Sequence, residues 1–296
     1  MLWLIAALLT DSVHALAVPV APKEALHVEI TGAGQAVVLV PGLLGSAYAF
    51  RDLVPMLTAT GYRTIVIEPL GIGLSARPEH ANYSLSAQAD RIAAVLDTLG
   101  VKNAILVGHS AGGAEAFRLA YRRPDLVGTI VTIEGGPSES ASTQTFKKAM
   151  RYAPWIKILG GVRLIRWKIH QMLVASSGDP SWVTDAVVDG YTATAARDLD
   201  GTLKVYLAVA ASHEPYRIQP HVGEIACPVL LMIGGAPHEG HVGPEEVSLL
   251  QHTLPRFTID SVSGAGHFIY EEQPRRVVAA VQRAAAAAGL LGVIDP

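Results

Sequence analysis

The sequence has a single cysteine, Cys227, in 296 residues. That excludes an intramolecular disulfide framework and any metal site built from several thiolates. Cys227 sits just before an apolar run and reads as a packed thiol. Charged residues make up 17% and aromatics 6%, whereas half of the chain is apolar. Such a composition excludes a disordered polyelectrolyte and supplies enough apolar surface for a large core. A formal net charge of −3 leaves no electrostatic footprint for nucleic acid. No internal repeat and no low-complexity linker interrupts the chain. Neither G-x-x-x-x-G-K-[ST] nor G-x-G-x-x-G occurs at its central glycine cluster, so phosphate cradling has no support there.

The N-terminal apolar run Leu2–Leu9 has no Lys or Arg before it, and it is too short to remain as a membrane anchor. It is followed by Ala15-Leu16-Ala17, a small-x-small pattern. Residues 1–17 are therefore expected to be a signal peptide, with export to the periplasm or medium and a mature chain starting near Val18. Without that processing the protein would be cytoplasmic.

The dominant signal lies at residues 104–112, Ala-Ile-Leu-Val-Gly-His-Ser-Ala-Gly. An apolar strand ends in G-x-S-x-G, and a helical stretch follows from Ala111. Glycines on both sides of Ser110 relieve the crowding of a sharp strand-to-helix turn and leave the hydroxyl exposed. Around this elbow, apolar strands (25–31, 36–40, 64–68, 104–107, 128–133) alternate with helices over roughly 48–60, 84–99 and 111–122. Alternation with continuously apolar strands predicts a mainly parallel sheet covered on both faces.

Residues 137–220 break the pattern, with several helical stretches and no buried strand. There Leu164, Ile165, Ile169, Met172 and Leu173 share a helix face, with Arg163, Arg166, Lys168 and His170 mostly off it. A basic amphipathic helix either lies on a membrane surface or roofs a pocket; the second is the expectation here. The alternation resumes with a strand at 229–234, a helix at 244–253, a strand at 256–262 and a helix over 273–288.

Elbow, sheet and insertion together resemble the α/β-hydrolase fold, α/β in class, with a core over 18–136 and 221–296 and a helical cap over 137–220. On that resemblance, Val40-Pro41-Gly42-Leu43-Leu44-Gly45 occupies the oxyanion loop, with Pro41 where the family usually has His. The N–H groups of Leu43 and Ala111 would then form the oxyanion hole. Glu68-Pro-Leu-Gly71-Ile-Gly73-Leu-Ser75 resembles a structural turn of the family, with Glu for Asp. Gly264-Ala-Gly266-His267 follows the last strand as the family's base loop does, which makes His267 the expected general base. His109 reads as a packing group.

The acid departs from the common pattern. The usual Asp position after the cap holds Pro237, in Gly234-Gly-Ala-Pro-His-Glu239. The alternative position, at the end of the strand after the elbow helix, holds Glu134. That placement resembles some haloalkane dehalogenases and the zearalenone lactonases. Glu134 is thus the expected acid and Glu239 its rival. His238-Glu239-Gly240-His241 does not have H-E-x-x-H spacing, so neither a metal nor another cofactor is expected.

The resemblance implies a serine hydrolase that cleaves a carboxylic ester or lactone through an acyl-enzyme. Dehalogenation needs a carboxylate nucleophile where Ser110 stands. The expected partner is a small, medium-sized apolar substrate held by Trp155, Trp167, Met172 and Trp182, with Tyr191 nearby. Neither nucleic acid nor a stable membrane anchor is expected. Two other readings stay open: a ligand receptor on this fold with little turnover, and a cofactor-free haloperoxidase or carbon–carbon bond hydrolase.

Overall fold

The computed structural model describes residues 12–290. Eight strands form one sheet: β1 (His14–Ala21), β2 (Glu24–Thr31), β3 (Ala36–Val40), β4 (Arg63–Ile67), β5 (Ala104–His109), β6 (Val127–Ile133), β7 (Val229–Gly234) and β8 (Phe257–Val262). Their order is β1-β2-β4-β3-β5-β6-β7-β8. The β1–β2 hairpin is antiparallel and joins β4 antiparallel. From β4 to β8 every pairing is parallel.

The core divides by strand alternation. Val38, Val40, Ile65 and Leu106 pack on one face beneath α2 (Leu85–Thr98) and α3 (Ala111–Arg122). Val37, Leu39, Ile105 and Val107 pack on the other, beneath α1 (Leu53–Ala59) and the C-terminal helix over Pro274–Ala287. Strands β3 and β5 are buried at every residue. This is why they read as unbroken apolar runs and not as alternating ones.

Between β6 and β7 lie five helices: α4 (Gln144–Met150), α5 (Ala153–Leu159), α6 (Val162–Ala175), α7 (Asp185–Arg197) and α8 (Leu199–Ala211). They form a helical region inserted between these two strands. Then come α9 (Pro244–Thr253), the single turn α10 (Ile269–Glu272) and α11 (Pro274–Ala287).

Two local expectations are corrected. The helix read over 48–60 is a 3-10 turn at Ala47–Phe50 followed by α1. Strand β1 was absent from the sequence reading. Most of its residues are exposed, so an edge strand with outward apolar side chains carried no periodic signal. Of the expected signal segment, residues 1–11 lie outside the described residues, and Ala17 pairs with His27 in the middle of β1.

Candidate active site

Strand β5 ends at His109, and α3 begins at Ala111. Ser110 between them has φ 53° and ψ −115°. A non-glycine residue in that region is strained and persists only where its surroundings enforce it. The enforcement is close packing. A Cβ on Gly108 would lie 2.4 Å from the Gly112 carbonyl oxygen, and one on Gly112 would lie 2.4 Å from that of Val40. The Ser110 N–H donates to the Ile133 carbonyl at 2.9 Å, which ties the elbow to the end of β6.

Glu134, the next residue, is also in the left-handed region, at φ 46°. Ser110 and Glu134 therefore leave adjacent strand ends through two strained residues.

The Glu134 side chain is buried and held by backbone donors. The Gly234 N–H donates to Oε1 at 2.5 Å, and the Val242 N–H donates to Oε2 at 3.1 Å. Burial pushes its carboxyl pKa up, opposed by these donors and by His238. The His238 Nε2 lies 3.3 Å from Oε1, and its Nδ1 lies 2.7 Å from the Ala236 carbonyl oxygen. Ligand-capable atoms of Glu134, His238 and His267 all lie within 4.8 Å of one another.

His267 arrives on the loop after β8, where its N–H donates to the Ser176 carbonyl at 2.7 Å. Its ring lies 4.6 Å from that of His109, the residue before the nucleophile. Burial first, and the charge of His238 second, push the His267 pKa down to about 4. Its Nδ1 is buried without a hydrogen-bond partner among the described residues. The Glu134 carboxylate is close to the His267 imidazole but not hydrogen-bonded to it. Glu239, the rival acid, is exposed.

His109 does act as a packing group. It is buried, its Nε2 lies 3.2 Å from the His267 carbonyl oxygen, and Tyr270 Oη lies 3.3 Å from its Nδ1. Glu68 is structural too. Its Oε1 accepts from the Ala47 N–H at 2.7 Å and its Oε2 from Leu74 at 2.5 Å, which fixes the turn after β4.

On the oxyanion side, a Cβ on Gly42 would lie 3.2 Å from Ser110 Cβ. That close approach brings the Leu43 backbone beside the nucleophile. Among the described residues, the N–H groups of Leu43 and Ala111 donate to no protein acceptor. Both remain available for an oxyanion.

The expected substrate residues divide. Trp182 packs against Phe268 at 5.6 Å and Tyr191 at 6.2 Å, and its Nε1 donates to Ser177 Oγ. Met172 packs on the same core face. Trp155 and Trp167 are 55% and 53% exposed on the outside of the insertion, so the structure moves them away from the site. Both sit on helices whose inner faces are aliphatic, and an indole counted from sequence alone does not reveal which face it takes.

A cavity of about 30 Å³ lies between the oxyanion loop and the insertion, lined by Leu44, Gly45, Ile165, Ile169, Tyr191 and Tyr206. A groove of about 560 Å³ lies at the opposite end of β7 and shares no residue with the site. Its Arg276 and Arg283 both pair with Asp260.

The sheet order, the strained serine and the helices between β6 and β7 define an α/β-hydrolase fold. A family model described as alpha/beta hydrolase fold matches residues 35–155, in agreement with that fold. It is 26% identical over 257 residues to the sn-1-specific diacylglycerol lipase ABHD11 of Mus musculus, covering 83% of this chain and 79% of that protein. Cfl2 of Burkholderia cenocepacia superposes with a TM-score of 0.76 at 22% identity, over 93% of this chain and 98% of Cfl2. A thermophilic esterase from Thermogutta terrifontis superposes with a TM-score of 0.73 at 21% identity, over 94% and 99%. Together these support hydrolytic chemistry on this fold.

Proposed function

We propose that the protein is a serine hydrolase of carboxylic esters or lactones, with Ser110 as nucleophile, His267 as base and Glu134 as acid. The convergence of Glu134 on His267, from the strand end beside Ser110, carries this reading. His267 takes the Ser110 proton as Oγ attacks the carbonyl carbon. The N–H groups of Leu43 and Ala111 receive the negative oxygen. His267 then donates its proton to the departing alcohol oxygen. Water, deprotonated by His267, attacks the acyl-enzyme and regenerates Ser110.

An imidazole held neutral is ready to accept the serine proton at neutral pH. Glu134 stabilises the imidazolium that results. Ile165 and Ile169 of α6, together with Trp182 and Met172, suit an apolar acyl or lactone ring.

The test is mass spectrometry of the intact protein after a fluorophosphonate, with p-nitrophenyl esters and a lactone panel assayed in parallel. Labelling at Ser110 with turnover is the expected outcome. Labelling with no turnover of any ester or lactone favours a ligand receptor on this fold. Absence of labelling in folded protein rejects the nucleophile assignment.

A further inference from the structure

We propose that the outer face of α4–α6 docks reversibly onto an anionic lipid surface. Between Glu139 and Asp179 the sequence has seven Lys or Arg and no Asp or Glu, although the chain as a whole is negative. Arg166 pairs with Asp185 and Asp189, and Lys157 pairs with Asp200. Lys147, Lys148, Arg151, Arg163 and Lys168 have no ion-pair partner among the described residues.

The same stretch exposes large apolar side chains. Tyr152, Trp155, Ile158, Leu159 and Trp167 are all exposed, Ile158 to 74% and Leu159 to 69%. Helix α4 buries no residue and α5 buries only Ala153. The Lys168 ammonium lies 4.6 Å from the centre of the Trp167 ring, so cation and aromatic occupy one patch.

Each element of this pattern matches an interfacial helix. Aliphatic tips enter the acyl boundary, indoles and Tyr sit at the headgroup level, and Lys and Arg meet anionic headgroups. A second copy fits poorly, because two-fold pairing would set this unneutralised basic face against its own image. No helix of the described residues is long and apolar enough to cross a membrane. The contact is therefore peripheral. It needs no catalysis, so it stands or falls independently of the hydrolase reading.

The experiment is co-sedimentation of the full chain with phosphatidylcholine vesicles, with and without phosphatidylglycerol, across a salt series. Binding to the anionic vesicles, lost at high salt, is expected. The triple variant Lys147→Gln, Lys148→Gln, Arg151→Gln should weaken it about a hundred-fold. The double variant Ile158→Ser, Leu159→Ser should weaken it with the salt dependence retained. Circular dichroism verifies that each variant is folded. Equal partition onto neutral and anionic vesicles, no partition at all, or folded variants that bind like the parent would each overturn the proposal. So would sedimentation velocity showing this face consumed in a dimer that ignores vesicles.

Discussion

The Nε2 of His238 faces Oε1 of Glu134 at 3.3 Å, while its Nδ1 faces a carbonyl oxygen at 2.7 Å. A carbonyl only accepts, so Nδ1 carries hydrogen. The ring thus stands beside the carboxylate, with its Nε2 buried and without a hydrogen-bond partner among the described residues. Other titratable groups near this pair are His267 and His241, with rings 6.3 and 6.1 Å from that of His238, and Glu246 of α9, packed over Gly136.

From this pair we expect His238→Phe to lower kcat about ten-fold or more with little change in KM, because Glu134 loses the polar ring that stands 3.3 Å from its Oε1. His238→Gln, which keeps a donor, should restore part of the loss. Steady-state kinetics on any accepted ester checks this, and an unchanged kcat in a folded His238→Phe protein would refute it.

Ser110→Ala and His267→Ala should remove turnover without unfolding the protein. Glu134→Gln should cost about 10⁴ in kcat, as for loss of a triad acid elsewhere. Glu239→Gln should be silent. Comparing the four rates locates the acid; a large loss at Glu239 would move it.

The pH dependence follows from His267. The neutral imidazole is the active form, and its pKa lies near 4. The acid limb of kcat/KM in the free enzyme should fall near that value, well below ordinary histidine. Stability follows in the same direction and from the same cause. Burial also holds the His109 pKa down. As pH falls below the ordinary histidine range, the unfolded chain takes up protons that the folded chain refuses, so stability should decline. Urea melts across this range test the slope.

Arg118 is fully buried in α3. It donates to the Ser138 carbonyl at 2.9 Å and stands 3.3 Å from Glu214, which in turn caps the start of α2. Arg118→Ala strands Glu214 and should cost about 3–5 kcal/mol. Chemical denaturation measures it, and a loss under 1 kcal/mol would show that water replaces the guanidinium.

Sequence alone located the residues that meet at the candidate site better than it located their surroundings. The elbow, the His267 loop and Glu134 were legible because each needs a special backbone: glycine-flanked turns and a strand end. In the sequence His238 stands only in a motif without H-E-x-x-H spacing. Its role depends on a loop folding back onto β6, roughly 100 residues away in the chain, and local spacing does not encode that contact. Trp155 and Trp167 were misplaced for the complementary reason. Trp155 and Trp182 look alike in sequence, and only packing separates the one outside from the one against Phe268.

The three members of the proposed triad are not held alike. Ser110 and Glu134 hang from neighbouring strand ends of the sheet. The backbone of His267 is instead fastened to Ser176, just past α6, and a Cβ on Gly266 would strike that same carbonyl at 2.4 Å. The carbonyl that seats the His267 backbone thus belongs to the insertion, whereas Ser110 and Glu134 take their places from the sheet alone.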